Sequence, residues 1–81
     1  MGTLAVELRP LAHSVSFTEY SMNVDLLDGR TISVPIVWFP TLSKASQSQR
    51  EHWELLGDGE GIHWPEIDED LSVSGLLAGA R

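Results

Sequence analysis

Between Ala12 and Pro35 the chain is organised in β-rich runs with apolar residues at alternate positions, the period that sends successive side chains to opposite faces of a strand. The runs are Ala12 to Phe17, Tyr20 to Leu27 and Arg30 to Pro35. Met22, Val24 and Leu26 fall on one face, with Ile32 and Val34 on the matching face of the next run. Between them, Asp28-Gly29 tolerates positive φ at both central positions of a type I′ turn, so Val24 to Val34 is predicted to be a β-hairpin. Thr18-Glu19 connects the first two runs and completes a three-stranded antiparallel meander.

Beyond Val34 the pattern changes. Pro35 and Pro40 bracket Ile36-Val37-Trp38-Phe39, and their missing amide hydrogens disfavour a central strand, so this segment is expected to leave the sheet and fold over it. Ser46 followed three residues later by Gln49 fits a capping box, which predicts a helix from Gln47 to about Trp53. Gly57, Gly59 and Gly61 interrupt regular structure, after which Gly61 to Trp64 can form one more short strand. Ser72 can cap a closing helical turn through Ala78, which Gly75 weakens. The expected fold class is α+β: a small antiparallel sheet, meander or hairpin, with short helices packed on it.

Composition adds scale. Eighty-one residues with 42% hydrophobic content fit one domain, residues 1–81, with a modest core. Trp38, Phe39, Trp53 and Trp64 supply large side chains, and most are expected in that core. No apolar run approaches the roughly 18 to 20 residues of a membrane span, and no basic, apolar leader opens the chain, so a cytoplasmic protein is expected. The absence of cysteine excludes disulfides, thiolate chemistry and zinc fingers.

Charge narrows the function. Twelve Asp and Glu against five Lys and Arg give a formal net charge of −7, which disfavours direct nucleic-acid binding and attracts basic surfaces. The charge is clustered: Glu51, Glu54, Asp58, Glu60, Glu66, Asp68, Glu69 and Asp70 place eight of the twelve carboxylates within residues 51–70, which contain no Lys or Arg. These eight are the candidate partner-binding residues. Arg30 and Arg50 read as surface or salt-bridge residues.

Catalytic and cofactor chemistry finds little support. Gly57-Asp58-Gly59-Glu60-Gly61 lacks the Gly-Lys-Ser/Thr ending of a phosphate loop, and its carboxylates repel phosphate. An EF-hand-like loop starting at Asp58 would place His63 where the sixth-position glycine belongs. His13, His52 and His63 have no metal-ligand spacing, and His63 reads as a strand residue that packs or hydrogen-bonds locally. No Gly-x-Ser-x-Gly elbow surrounds a serine. The reading is a non-enzyme without cofactor or metal; a divalent-cation site using Asp58, Glu60 and His63 is one alternative.

The order of separated motifs carries a resemblance. Leu27-Asp28-Gly29-Arg30-Thr31, Val34-Pro35, Trp38-Phe39-Pro40, Gly61-Ile62-His63-Trp64-Pro65, Asp68-Glu69-Asp70-Leu71-Ser72-Val73 and Gly75-Leu76-Leu77 together look like the small bacterial DUF2442 family, over about residues 12–79. The resemblance implies an α+β domain on an antiparallel sheet, standing alone or joined to a helix-turn-helix domain, often encoded beside another small protein as toxins and antitoxins are. It implies no established activity. Thr41 stands where the family commonly has Arg after the Phe-Pro pair, which removes a positive charge near the helix entrance. In size and charge the chain also resembles phage-encoded anti-CRISPR inhibitors, many of which fill basic DNA channels with rows of carboxylates.

The leading expectation is therefore a non-enzymatic acidic inhibitor or regulator. Its partner would be a protein with a basic, nucleic-acid-handling surface, such as a CRISPR effector or a toxin, bound by nucleic-acid mimicry. A module docking through an apolar patch at Trp38, Phe39, Leu76 or Leu77 is the other class.

Overall fold

The computed structural model describes residues 10–79. Its first half is the anticipated meander: β1 (Ala12–Phe17), β2 (Ser21–Leu26) and β3 (Thr31–Pro35) pair antiparallel in chain order. Val24 stands opposite both Val15 and Ile32, and Met22 opposite both Phe17 and Val34, so one face of the sheet is continuously apolar. A bulge between Ala12 and Ser14 re-phases β1. Without that extra residue Ala12 and Val15, an odd number of positions apart, would point to opposite faces; both are buried.

The β2–β3 connection departs from the expected type I′ turn. Its loop has three residues, Leu27 to Gly29: Gly29 N–H donates to Leu26 C=O at 3.1 Å, and Leu26 N–H donates to Arg30 C=O at 2.8 Å. Positive φ occurs only at Gly29 (95°), the pattern of a tight turn closed by a glycine bulge. Asp28 accounts for the difference, since its carboxylate accepts from Arg30 backbone N–H (3.0 Å) and Arg30 Nε (2.9 Å). Those bonds hold the Asp28 carboxyl below the usual carboxylate range.

After β3 the chain leaves the sheet through a 3-10 turn, Ile36–Trp38, anchored by Ile36 N–H on Tyr20 C=O at 2.9 Å. A helix that the sequence reading did not foresee follows, α1 (Pro40–Lys44). Pro40 begins it at the first position, where the missing amide costs nothing and φ is already helical. The capping box is present: Gln49 N–H donates to Ser46 Oγ and Ser46 N–H to Gln49 Oε1, opening α2 (Gln47–Glu51), which stops short of Trp53.

The second half holds a second sheet of three strands, β4 (Glu54–Leu56), β5 (Gly61–Trp64) and β6 (Glu69–Ser72), of which only β5 was anticipated. Ser72 Oγ accepts from Gly75 N–H at 3.1 Å and opens α3 (Val73–Leu77). The two sheets share one core. Met22, Val24 and Val34 meet Ile62 and Trp64, while Ile36, Phe39, Leu42, Val73 and Leu76 fill the space from the connecting turn and helices. A backbone bond from Ala12 N–H to Gly59 C=O (2.7 Å) joins the two sheets, and one from Val73 N–H to Glu60 C=O (3.0 Å) ties the start of α3 to the β4–β5 turn.

Candidate functional site

Antiparallel register decides which acidic side chains meet. Glu54 on β4 stands opposite His63 on β5, and His63 stands opposite Asp70 on β6, so these three form one row across the second sheet. The row lies on the outward face, because the alternate residues Ile62 and Trp64 point inward and are fully buried. His63 Nδ1 bonds to Asp70 Oδ1. That hydrogen bond raises the imidazole pKa above its ordinary value; partial desolvation opposes it, and the charges of Asp70, Glu54 and Asp68 add to it.

The other carboxylates surround this row. Asp58 and Glu60 occupy the β4–β5 turn, and Glu66 and Asp68 the β5–β6 turn at the opposite end of the sheet. Asp68 holds a left-handed φ of 52°, a conformation Asp adopts more readily than most residues. Glu66 Oε2 lies 2.6 Å from His52 Nδ1 in a solvent-exposed pair. Histidines thus sit beside carboxylates twice within a segment that has no Lys or Arg.

Two of the eight predicted contact residues stand apart. Glu69 pairs across from Trp64, on the face turned toward the core, and is half-buried. Glu51 belongs to α2, where it accepts from Gln47 Nε2 at 3.2 Å and borders a cleft against β1 rather than the second sheet. The acidic surface is therefore a central row with carboxylates at both ends. His63, read from sequence as a strand residue that packs or hydrogen-bonds locally, and His52, read as a non-ligand, each lie against one of these carboxylates. The row of Glu54, His63 and Asp70 is legible only with the register of β4 and β6.

For the alternative sites the structure has separate consequences. Phe39 and Leu76, expected among an apolar docking patch, are core residues; Trp38 is half-buried and Leu77 exposed. Among the described residues the apolar side chains most open to solvent are instead Tyr20 (76%) and Val37 (75%). Tyr20 C=O accepts from the N–H of Ile36, the residue before Val37. Among the described residues no three His, Asp or Glu side chains converge to hold a metal, so Asp58, Glu60 and His63 do not form a cation cage. No helix among them is long and apolar enough to cross a membrane.

Arg50, expected as a surface or salt-bridge residue, is instead a half-buried joint. Its Nε donates to Leu42 C=O (2.8 Å) and a terminal guanidinium nitrogen to Ser43 C=O (3.0 Å), satisfying carbonyls at the end of α1. The guanidinium lies 5.8 Å from the Phe17 ring centroid. Trp64 Nε1 donates to the Arg50 carbonyl at 2.9 Å, and the Trp64 ring meets Phe17 edge-on.

No curated protein matches the chain. Solved structures with the same fold include a protein of unknown function from Rhodospirillum rubrum, 37% identical, with a TM-score of 0.77 over 88% of this chain and 88% of that one. An uncharacterized protein from Chromobacterium violaceum is 23% identical, with a TM-score of 0.75 over 88% of this chain and 67% of its own, a likeness of fold alone. The sequence pattern of a protein family of unknown function matches residues 12–81, and with it the ordered motifs and the two-sheet fold are accounted for: the chain belongs to the DUF2442 family.

Proposed function

We propose that this protein is a non-enzymatic regulator or inhibitor that presents the outward face and turns of its second sheet to a basic, nucleic-acid-handling surface of a protein partner. The observation that supports this reading is the gathering of Glu54, Asp58, Glu60, Glu66, Asp68 and Asp70 on that sheet and its two turns, in a segment with no Lys or Arg. Carboxylates spaced across adjacent strands present separated negative charges on a rigid support. They compete with phosphates for the same Lys and Arg side chains. A CRISPR effector or a toxin would be a partner of this kind.

Affinity capture from the native host, repeated at two salt concentrations, identifies the partner and tests the force together. We expect binding to weaken steeply between low and high salt. We also expect the variant carrying Glu54→Gln, Glu60→Gln and Glu66→Gln to lose at least tenfold in affinity, because it removes exposed charge without emptying the core. Unchanged affinity of that variant at low salt would overturn the electrostatic reading.

A second reading rests on Tyr20 and Val37, exposed apolar residues at and next to the Ile36–Tyr20 backbone bond. Docking through that patch would be nearly insensitive to salt and would be lost in Tyr20→Ser with Val37→Ser.

A further inference from the structure

The first sheet has an open edge that faces a built cleft. Among the described residues β1 is an outer strand, paired only with β2. Thr18 N–H donates to Ser21 C=O at 2.9 Å, so Thr18 turns its backbone groups toward β2. Alternation along an antiparallel ladder then turns Ser16 the same way and sends the N–H and C=O of Val15 and Phe17 outward. Near the start of β1 the outer edge is occupied: Ala12 donates to the Gly59 carbonyl of the β4–β5 turn. Further along, among the described residues, no backbone bond reaches the outward groups of Val15 and Phe17.

That stretch of edge opens into a cleft of ≈ 550 Å³ lined by Val15, Phe17 and Glu19 on one side and Gln47, Arg50 and Glu51 of α2 on the other. Its size falls within the roughly 300–1,000 Å³ of ligand sites. The cleft is lined by two carboxylates, Glu19 and Glu51, and by one guanidinium, that of Arg50, which is held on the Leu42 and Ser43 carbonyls and over Phe17, so the net charge of the lining is negative. A strand edge beside a helix, with acidic groups along the groove, matches a ligand that supplies backbone hydrogen bonds and positive side chains.

We propose that the cleft between β1 and α2 binds an extended, basic segment of a partner polypeptide, which adds to the free edge of β1 as a further strand of the first sheet. Backbone bonds to Val15 and Phe17 supply the alignment. Lysine or arginine side chains of the segment meet Glu19 and Glu51, and its apolar side chains meet Val15 and Phe17. This surface is separate from the carboxylates of the second sheet, so it can succeed or fail independently of the function proposed above.

The test uses the full chain, labelled with 15N and titrated with a capped heptapeptide of alternating valine and lysine. We expect the amide signals of Val15 and Phe17 to shift on saturation below millimolar peptide, and their hydrogen exchange to slow at least tenfold. Glu19→Lys combined with Glu51→Lys should weaken binding at least tenfold. Val15→Pro removes an outward N–H while sparing the ladder to β2 and should weaken it similarly; the charge-reversal pair serves if that proline variant does not fold. The proposal is overturned if Val15 and Phe17 show no response at millimolar peptide, if the shifts fall only within residues 54–70, or if the charge-reversed variant binds equally well. Protection of the same two amides by concentration-dependent self-association, without peptide, would assign the edge to a second copy and also overturn it.

Discussion

Arg50 concentrates more of the packing than its place on a surface helix suggests. Its guanidinium closes two carbonyls at the end of α1, lies against Phe17, and its own carbonyl is held by the buried Trp64 indole. Truncation therefore removes both guanidinium bonds, leaving the Leu42 carbonyl with Ala45 N–H alone (3.2 Å) and the exposed Ser43 carbonyl to solvent, and loses the stacking, for which we expect Arg50→Ala to cost about 1–2 kcal/mol in urea unfolding. Arg50→Lys should recover only part, since an ammonium cannot reproduce the planar fork that spans the Leu42 and Ser43 carbonyls. Trp64→Phe keeps most of the aromatic volume but orphans the Arg50 carbonyl, and about 1–2 kcal/mol is expected there. Equal stability of Arg50→Lys and wild type would show that the fork geometry contributes nothing.

At the level of elements, the two sheets are tied where the β4–β5 turn touches β1. Gly59 has φ 108°, and a Cβ there would stand 2.4 Å from the Ala12 carbonyl oxygen and 2.9 Å from its nitrogen. Both obstacles are backbone, so Gly59→Ala must separate the turn from β1 and weaken the Ala12–Gly59 bond. We expect a loss of about 3 kcal/mol, lowering Tm by roughly 10 °C or more. Gly29 also has positive φ, but nothing lies within 4 Å of its added Cβ, and Gly29→Ala should cost only about 1 kcal/mol of backbone strain. Similar melting temperatures for the two variants would contradict the role given to the turn. The elements differ in how far the sequence announces them. The meander was readable because Met22, Val24 and Leu26 alternate against Ile32 and Val34, and α2 because Ser46 and Gln49 form a local capping box. β4 and β6 carry no such signal: Glu54-Leu55-Leu56 and Glu69-Asp70-Leu71-Ser72 become strands through pairing with β5, a tertiary effect that outweighs their acidic composition. α1 is hidden because Pro40 reads equally as the end of an extended segment and as the first residue of a helix. The acidic cluster was visible as composition, whereas the row that places His63 between Glu54 and Asp70 depends on those two unforeseen strands.

For the whole molecule, that row couples stability and surface charge to pH in opposite directions. The folded-state pKa of His63 is raised above its unfolded value, chiefly by the bond to Asp70. The stabilisation it contributes is therefore fully present below about pH 6.5, the ordinary histidine value, and is lost as pH rises through the folded pKa. Losing that proton also uncovers the charges of Glu54 and Asp70, which makes the outward face of the second sheet more negative. A basic partner should then bind more tightly as pH rises over the interval in which the His63 contribution to stability declines. Urea unfolding of wild type and His63→Gln from pH 5.5 to 8.5 isolates the histidine, because His52 and its pairing with Glu66 remain in both proteins. The stability difference between the two should shrink as pH rises, and Asp70→Asn should flatten it by removing the main cause of the shift. Partner affinity measured over the same range should climb in wild type and change less in His63→Gln. A constant stability difference would remove His63 as the titrating group, whereas the expected stability trend without any change in affinity would separate this row from the binding surface.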